Sequence, residues 1–219
     1  MSQNQSPNSD ALLKRVDHLV YATADLEASV KDLENRLGVR AVPGGQHPGR
    51  GTRNALIGMG ERSYLEIIGP DLSQPRASGA LWFGIDPMTR PRLVTWAANT
   101  TSLDEVIARA AGNGLHLGPV TAGQRTRSDG VTLSWEFTDP LTTIADGLVP
   151  FFIDWGVSPH PATTAPRGLR LIALRGEHPQ PGAVLDALSR IDIRLKVDYG
   201  PTPSLIATIE TPKNLVELS

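Results

Sequence analysis

Residues 15–27 read RVDHLVYATADLE, and their spacing decides the fold. Val16, Leu19, Val20 and Tyr21 make a short apolar run of the kind a buried strand uses. From Leu26 the spacing changes to Leu26, Val30, Leu33 and Leu37, a helical repeat stopped by Gly38. The chain therefore opens with a strand that turns directly into an amphipathic helix. His18 is the odd residue in that strand. Strand alternation puts it on one face with Val16 and Val20, while Leu19 and Tyr21 face the helix. A lone buried histidine is ordinarily a core residue bonded to a backbone carbonyl, so His18 asks for a partner.

Working outward, the strand and helix are followed by three extended pieces, near VRAVPG, TRNALIGMG and SYLEIIGP. The pattern restarts at Pro91 with RLVTWAANT and a helix opened by the capping box Ser102 and Glu105. Extended segments recur around LHLGPV, VTLSWEFT and VPFFIDWG. A third, shorter copy starts at Gly168 with LRLIALRG, has a helix through Val184, Leu185 and Leu188, and closes with IRLKVDYG, SLIATIE and NLVELS. The spacing thus predicts an α+β fold of repeated βαβββ units: a frayed tail over 1–12, units over 13–72, 90–158 and 167–219, and proline-rich connectors between them. The long loop DPLTTIADGL reads as the lid or rim of a site.

Composition narrows the chemistry. The 219 residues contain no cysteine, which removes disulfides, thiolate metal sites and cysteine nucleophiles. Any metal would be held by histidine, carboxylate or water. Lys and Arg total 21 against 23 Asp and Glu, with no long run of either sign, so neither nucleic acid nor an anionic membrane surface is the expected partner. The polar start MSQNQSPNSD lacks a secretory signal and no stretch suits a membrane span, giving a cytoplasmic expectation. No glycine loop of the nucleotide-binding kind is present, so no nucleotide cofactor is expected.

Several polar residues stand out. HPGRGTRN gathers His47, Arg50 and Arg53 among glycines, with Asn54 opening a strand; it reads either as a substrate loop whose Arg50 clamps a carboxylate or phosphate, or as a flexible hairpin with solvated arginines. GQRTRSDG, with Arg125 and Arg127, reads more simply as an Asp-Gly turn. Trp82, Trp96, Trp135 and Trp155, with Phe151 and Phe152, are core or pocket lining, with Trp96 weighted towards the pocket. Asp154 between Ile153 and Trp155 needs a cation or donors if buried, and His160 lies across a turn from it; the two share one site, or the intervening prolines set an interdomain bend.

The tandem strand-helix-three-strand pattern resembles the vicinal oxygen chelate superfamily. The phrases VDHLVYATADLEASVKDLENRLGV, GGQHPGRGTRNALIGMG, YLEIIGPD and FFIDWG…HPA resemble its glyoxalase-like subgroup, a bacterial family, over about Arg15 to Pro166. That resemblance implies paired units forming a curved, mostly antiparallel sheet around a funnel, with a divalent metal (Zn, Ni, Fe, Mn or Co) held by first-strand and last-strand residues. Carried onto this chain, those positions fall on His18 and Glu66. The second unit departs from the pattern: its first strand offers Thr95 or Trp96, and its last strand offers Ile153 or, one residue on, Asp154. In the third unit Glu217 sits where a ligand glutamate would be.

The functional expectation is a metal-dependent lyase, isomerase or dioxygenase acting on a small organic substrate. His18 and Glu66 are the metal ligands, Glu66 and Asp154 the catalytic carboxylates, and His47, Arg50, Asn54, Trp96, Trp155 and His160 the substrate contacts. The alternative is a metal-free protein that sequesters a small molecule, which the missing second-unit ligands favour. The odd unit count implies either an unpaired half or completion by a second chain in a homodimer.

Overall fold

The computed structural model describes residues 7–75, 81–85, 90–127 and 130–219. Pro7–Leu13 forms helix α1, and Leu12 is buried, so the expected frayed tail is helical from Pro7. The first unit runs β1 (Val16–Ala22), α2 (Leu26–Leu37), β2 (Val42–His47), β3 (Thr52–Gly58) and β4 (Tyr64–Pro70). Helix α2 starts where the Asp25 carboxylate accepts from the Ala28 amide at 3.0 Å, and ends at Gly38 in the left-handed region. The second unit runs β5 (Arg92–Asn99), α3 (Leu103–Gly112), β6 (Val120–Thr126), β7 (Thr132–Thr138) and β8 (Phe151–Asp154). No helix among the described residues is long and apolar enough to cross a membrane.

These strands form one eight-stranded sheet ordered β2-β3-β4-β1-β5-β8-β7-β6. In both units the first strand lies parallel beside the last, β1 against β4 and β5 against β8. The two units join through antiparallel β1 and β5. The sheet curls until its edges almost meet, where the Arg125 guanidinium on β6 donates to the Gly44 carbonyl on β2. The curl gives a concave funnel with its own apolar cluster, including Val20, Tyr64, Ile68, Phe137 and Phe151. The convex face carries Leu19, Tyr21, Leu65, Ile67 and Trp96 into a second, larger core shared with the helices.

The third unit has β9 (Arg170–His178), α4 (Pro181–Ser189), β10 (Lys196–Tyr199), β11 (Ser204–Glu210) and β12 (Leu215–Leu218). Its element order repeats the first two, but its pairing does not. The sheet runs β10-β9-β11-β12, with β9 parallel to β10 through the α4 crossover and β12 outermost. Glu217 therefore lies two strands from β9, across β11, and reaches the Arg175 guanidinium of that strand at 3.8 Å. It has no first-strand partner of the kind His18 offers Glu66. Leu171, Leu174, Leu205 and Ile209 join the convex-side core, so this chain itself covers the apolar face of the odd unit. The other face carries ion pairs such as Lys196 with Asp198 and Arg170 with Glu210.

One irregularity matters for the site. The β1–β5 register slips between Val16 and His18, a bulge at Asp17. Strict alternation would leave Val16 on the His18 face. Instead Val16 joins the helix-side core, while Asp17 and His18 are both buried and bonded to each other.

Candidate functional site

Parallel pairing of β1 with β4 sets Val20 opposite Glu66 and His18 opposite Tyr64, which brings the imidazole and the carboxylate diagonally together inside the funnel. His18 Nδ1 lies 2.7 Å from Asp17 Oδ1. The other oxygen, Asp17 Oδ2, accepts from Trp155 Nε1 at 3.0 Å and from His160 Nε2 at 3.1 Å. His160 Nδ1 accepts from the Ala162 amide, which leaves its ring proton on Nε2, facing Asp17. Burial alone would raise the Asp17 carboxyl, but the hydrogen bonds from His160 and His18 hold it below its ordinary value. An ionised Asp17 accepts a proton from His18 Nδ1, and the second ring nitrogen, Nε2, faces Glu66 Oε2 3.5 Å away. That separation is too long for a charge-assisted hydrogen bond, about 2.7–2.9 Å.

The remaining Glu66 oxygen is occupied. Asn54 Nδ2 donates to Glu66 Oε1 at 2.5 Å and faces His47 Nε2 at 3.3 Å, while His47 Nδ1 meets Thr52 Oγ1 at 2.9 Å. Gly44 makes room for this cluster, because a Cβ there would stand 2.1 Å from Asn54 Oδ1. That oxygen has no hydrogen-bond partner among the described residues. Burial pushes the His47 imidazole down to about 4, against a smaller opposing pull from Glu66. The unfolded chain therefore binds more protons than the folded one below the ordinary histidine value of 6.5. The metal-free protein should lose stability as pH falls from about 6.5 to about 4, by up to roughly 3 kcal/mol. Comparing denaturation of wild type and His47→Gln across that range checks this, and the variant should show the shallower slope.

The walls are mostly aromatic. Tyr64 stacks on His18 with ring centroids 4.7 Å apart, and Trp82, Phe137, Phe151 and Trp155 complete the enclosure. Arg50 lies over the Trp82 ring, 5.0 Å from its centroid. Arg125, only 4% exposed, reaches the same cavity from β6. The enclosed volume is about 40 Å³, room for an ion and a water or so.

Residues 16–191 match the family model of the glyoxalase-like domain. The chain belongs to the glyoxalase-like domain family. A solved structure of a hypothetical protein from Staphylococcus aureus is similar at 13% identity with a TM-score of 0.61, over 92% of this chain and 83% of that one; the likeness is one of fold. Methylmalonyl-CoA epimerase from Mycobacterium tuberculosis aligns at 21% identity with a TM-score of 0.42, over 68% of this chain and 92% of that one. Among curated proteins none matches the chain.

In this glyoxalase-like protein the residues singled out in the sequence divide cleanly. His18, Glu66, His47, Asn54 and Trp155 line one cavity, His160 stands behind it on Asp17, and Arg50 lies against its Trp82 wall. Two others lie elsewhere. Asp154 follows the inward Ile153 by one residue, which turns it out of the funnel, and its carboxylate accepts from the Gly156 amide at 2.8 Å. Trp96 alternates with the funnel-side Ala97, so it packs in the helix-side core and donates to the Leu148 carbonyl at 3.1 Å. Three site residues escaped the sequence reading: Asp17, Tyr64 and Arg125. Arg125 was hidden because β6 begins only at Val120, the last residue of the expected LHLGPV segment, and makes GQRT part of a strand. The expected Asp-Gly turn falls partly on residues 128–129, outside the described residues.

Glyoxalase-like folds imply a divalent metal, and the donor set can be tested for one. Among the described residues no three His, Cys, Asp or Glu side chains form a ready metal cluster. His47 Nε2 is taken by Asn54 and lies 4.0 Å from Glu66. Two donors remain open, His18 Nε2 and Glu66 Oε2. Their 3.5 Å separation suits neighbouring ligands on bonds of about 2.0–2.2 Å. A carboxylate orienting the far nitrogen of the histidine, as Asp17 does here, is the usual support of a metal-bound imidazole. The pair fits a hard or borderline ion that keeps its other positions for water or substrate oxygens.

Proposed function

We propose that this protein is a small-molecule enzyme whose reactive centre is the His18–Glu66 pair, loaded with a divalent cation. The observation that carries the reading is a buried imidazole nitrogen facing a buried carboxylate oxygen at 3.5 Å, with no hydrogen bond between them; with the His18 proton on Nδ1 towards Asp17, an acceptor faces an acceptor. Such an arrangement costs free energy unless a cation lies between the two groups.

His18 Nε2 and Glu66 Oε2 would hold the ion, which when bound would supply Lewis acidity towards a substrate oxygen. The chain's own groups do the rest. Asp17 keeps the His18 proton on Nδ1, and Asn54 pins Glu66 Oε1 so that Oε2 stays aimed at His18. His47 stays neutral near neutral pH and holds Asn54 in place. Trp82, Phe137 and Phe151 keep bulk water from the pair, which strengthens every electrostatic contact inside. The test is the metal content of protein purified without chelator, wild type beside His18→Ala and Glu66→Ala. Stoichiometric metal in the wild type and its loss from both folded variants is the expected result.

A second reading, a metal-free protein that sequesters a small molecule, draws support from the second unit. Phe151 and Ile153 present apolar side chains to the funnel on β8, where a last-strand ligand would be expected. Absence of metal from all three proteins after supplementation would favour it.

A further inference from the structure

Arg125 is a buried cation with no ion-pair partner within 4 Å among the described residues, although the Glu66 carboxylate acts on it from across the cavity. Its side chain is 4% exposed, and its one hydrogen-bond partner among the described residues is the Gly44 carbonyl. A guanidinium has five N–H donors, and buried charges are normally paired. Arg125 lines the same cavity as His18, Glu66 and Tyr64. It also lines a recess of about 240 Å³ at the seam between β2 and β6, bordered by Val42, Leu56, Arg127 and Ala165. Among the described residues no acidic side chain lines that recess. The guanidinium therefore stands between an outer space large enough for a small organic molecule and the inner reactive pair. Glu66 is already engaged by Asn54, and Asp17 by three donors. Neither is a hydrogen-bond partner of Arg125.

We propose that Arg125 is the anion anchor of this site, and that its ligand is a small carboxylate that occupies the β2–β6 recess with its carboxylate turned inward onto the guanidinium. A planar guanidinium fork matches a planar carboxylate with two parallel hydrogen bonds. With a divalent cation at His18 and Glu66 the enclosed charge is positive, which favours an anion further. The inference rests on reading that pair as the reactive centre, and it deepens it by naming the substrate class.

Trp82, Trp135 and Trp155 line the cavity, so tryptophan fluorescence reports on its contents. The test titrates wild type, Arg125→Gln and Arg125→Lys with acetate, glycolate, the neutral isostere glycolamide, and inorganic phosphate, with metal content measured in parallel. Saturable responses to the carboxylates and none to glycolamide are expected. Arg125→Gln should weaken carboxylate binding about tenfold or more, with Arg125→Lys in between. Metal content should be unchanged, because Arg125 holds no ion. Equal binding by wild type and Arg125→Gln, a response to phosphate alone, or no saturable response to either carboxylate overturns the anchor. The metal content of the same samples reports separately on the His18–Glu66 reading.

Discussion

Alanine at Asp17 is expected to destabilise the fold by about 3–5 kcal/mol, the cost of removing one partner from a buried charged network. Asp17 is 1% exposed and accepts from His18, Trp155 and His160, which come from β1, the end of β8 and the turn after it. Its removal leaves three buried N–H groups without an acceptor and unties the first unit from the second. Asp17→Asn keeps the volume but turns an amide N–H towards groups that are themselves donors, so it should recover only part of the loss. The acid side has a definite sign. Because folding lowers the Asp17 carboxyl, its contribution is complete above the ordinary carboxylate range and disappears as pH falls below it. Chemical denaturation of the three proteins measures this; a loss under about 1 kcal/mol for Asp17→Ala would mean that the network does not hold the units together.

Glu66→Gln should separate function from stability. The carboxylate is buried, one oxygen is bonded to Asn54, and the other faces the His18 lone pair at 3.5 Å. In the metal-free protein a glutamine amide can donate to His18 Nε2, replacing an opposed pair of acceptors with a hydrogen bond. Stability should hold or rise by about 1 kcal/mol. Cation affinity should fall roughly a thousandfold, since removing a buried charged partner costs about 3–5 kcal/mol and each 1.4 kcal/mol is tenfold. A residue that is better for folding when replaced and worse for binding is a mark of a functional site. Titration calorimetry on chelator-treated protein reads both wild type and variant. Unchanged affinity would remove Glu66 from the ligand set.

The strand-to-helix switch at residues 15–37 was plain in the sequence because its apolar spacing is regular. His18 and Glu66 could be placed on inward strand faces for the same reason. What could not be read depended on pairing and register. A bulge is invisible in the residues that form it: strict alternation puts Asp17 on the helix-facing side with Leu19 and Tyr21, whereas it is the buried base that orients His18. Strand β6, VTAGQRT, has little apolar alternation because one of its inward positions is Arg125, and periodicity detects strands through apolar side chains. Asp154 illustrates the cost of a one-residue slip: the chemically attractive residue faces outwards and its dull neighbour Ile153 faces the funnel. In the third unit the element order was legible, but the swap of neighbours that puts β12 at the edge rests on long-range pairing that local pattern does not encode.

In the proposed centre His18 presents a bare Nε2 to a cation shared with Glu66. Nitrogen-resolved NMR of the histidine rings near neutral pH, with and without an added divalent ion, tests it most directly. The expected result is a His18 ring protonated at Nδ1 only, whose Nε2 resonance moves on adding the ion while the Nδ1 proton stays in place. A His18 ring protonated at both nitrogens and unchanged by saturating metal would contradict it, because a proton would then already fill the gap to Glu66.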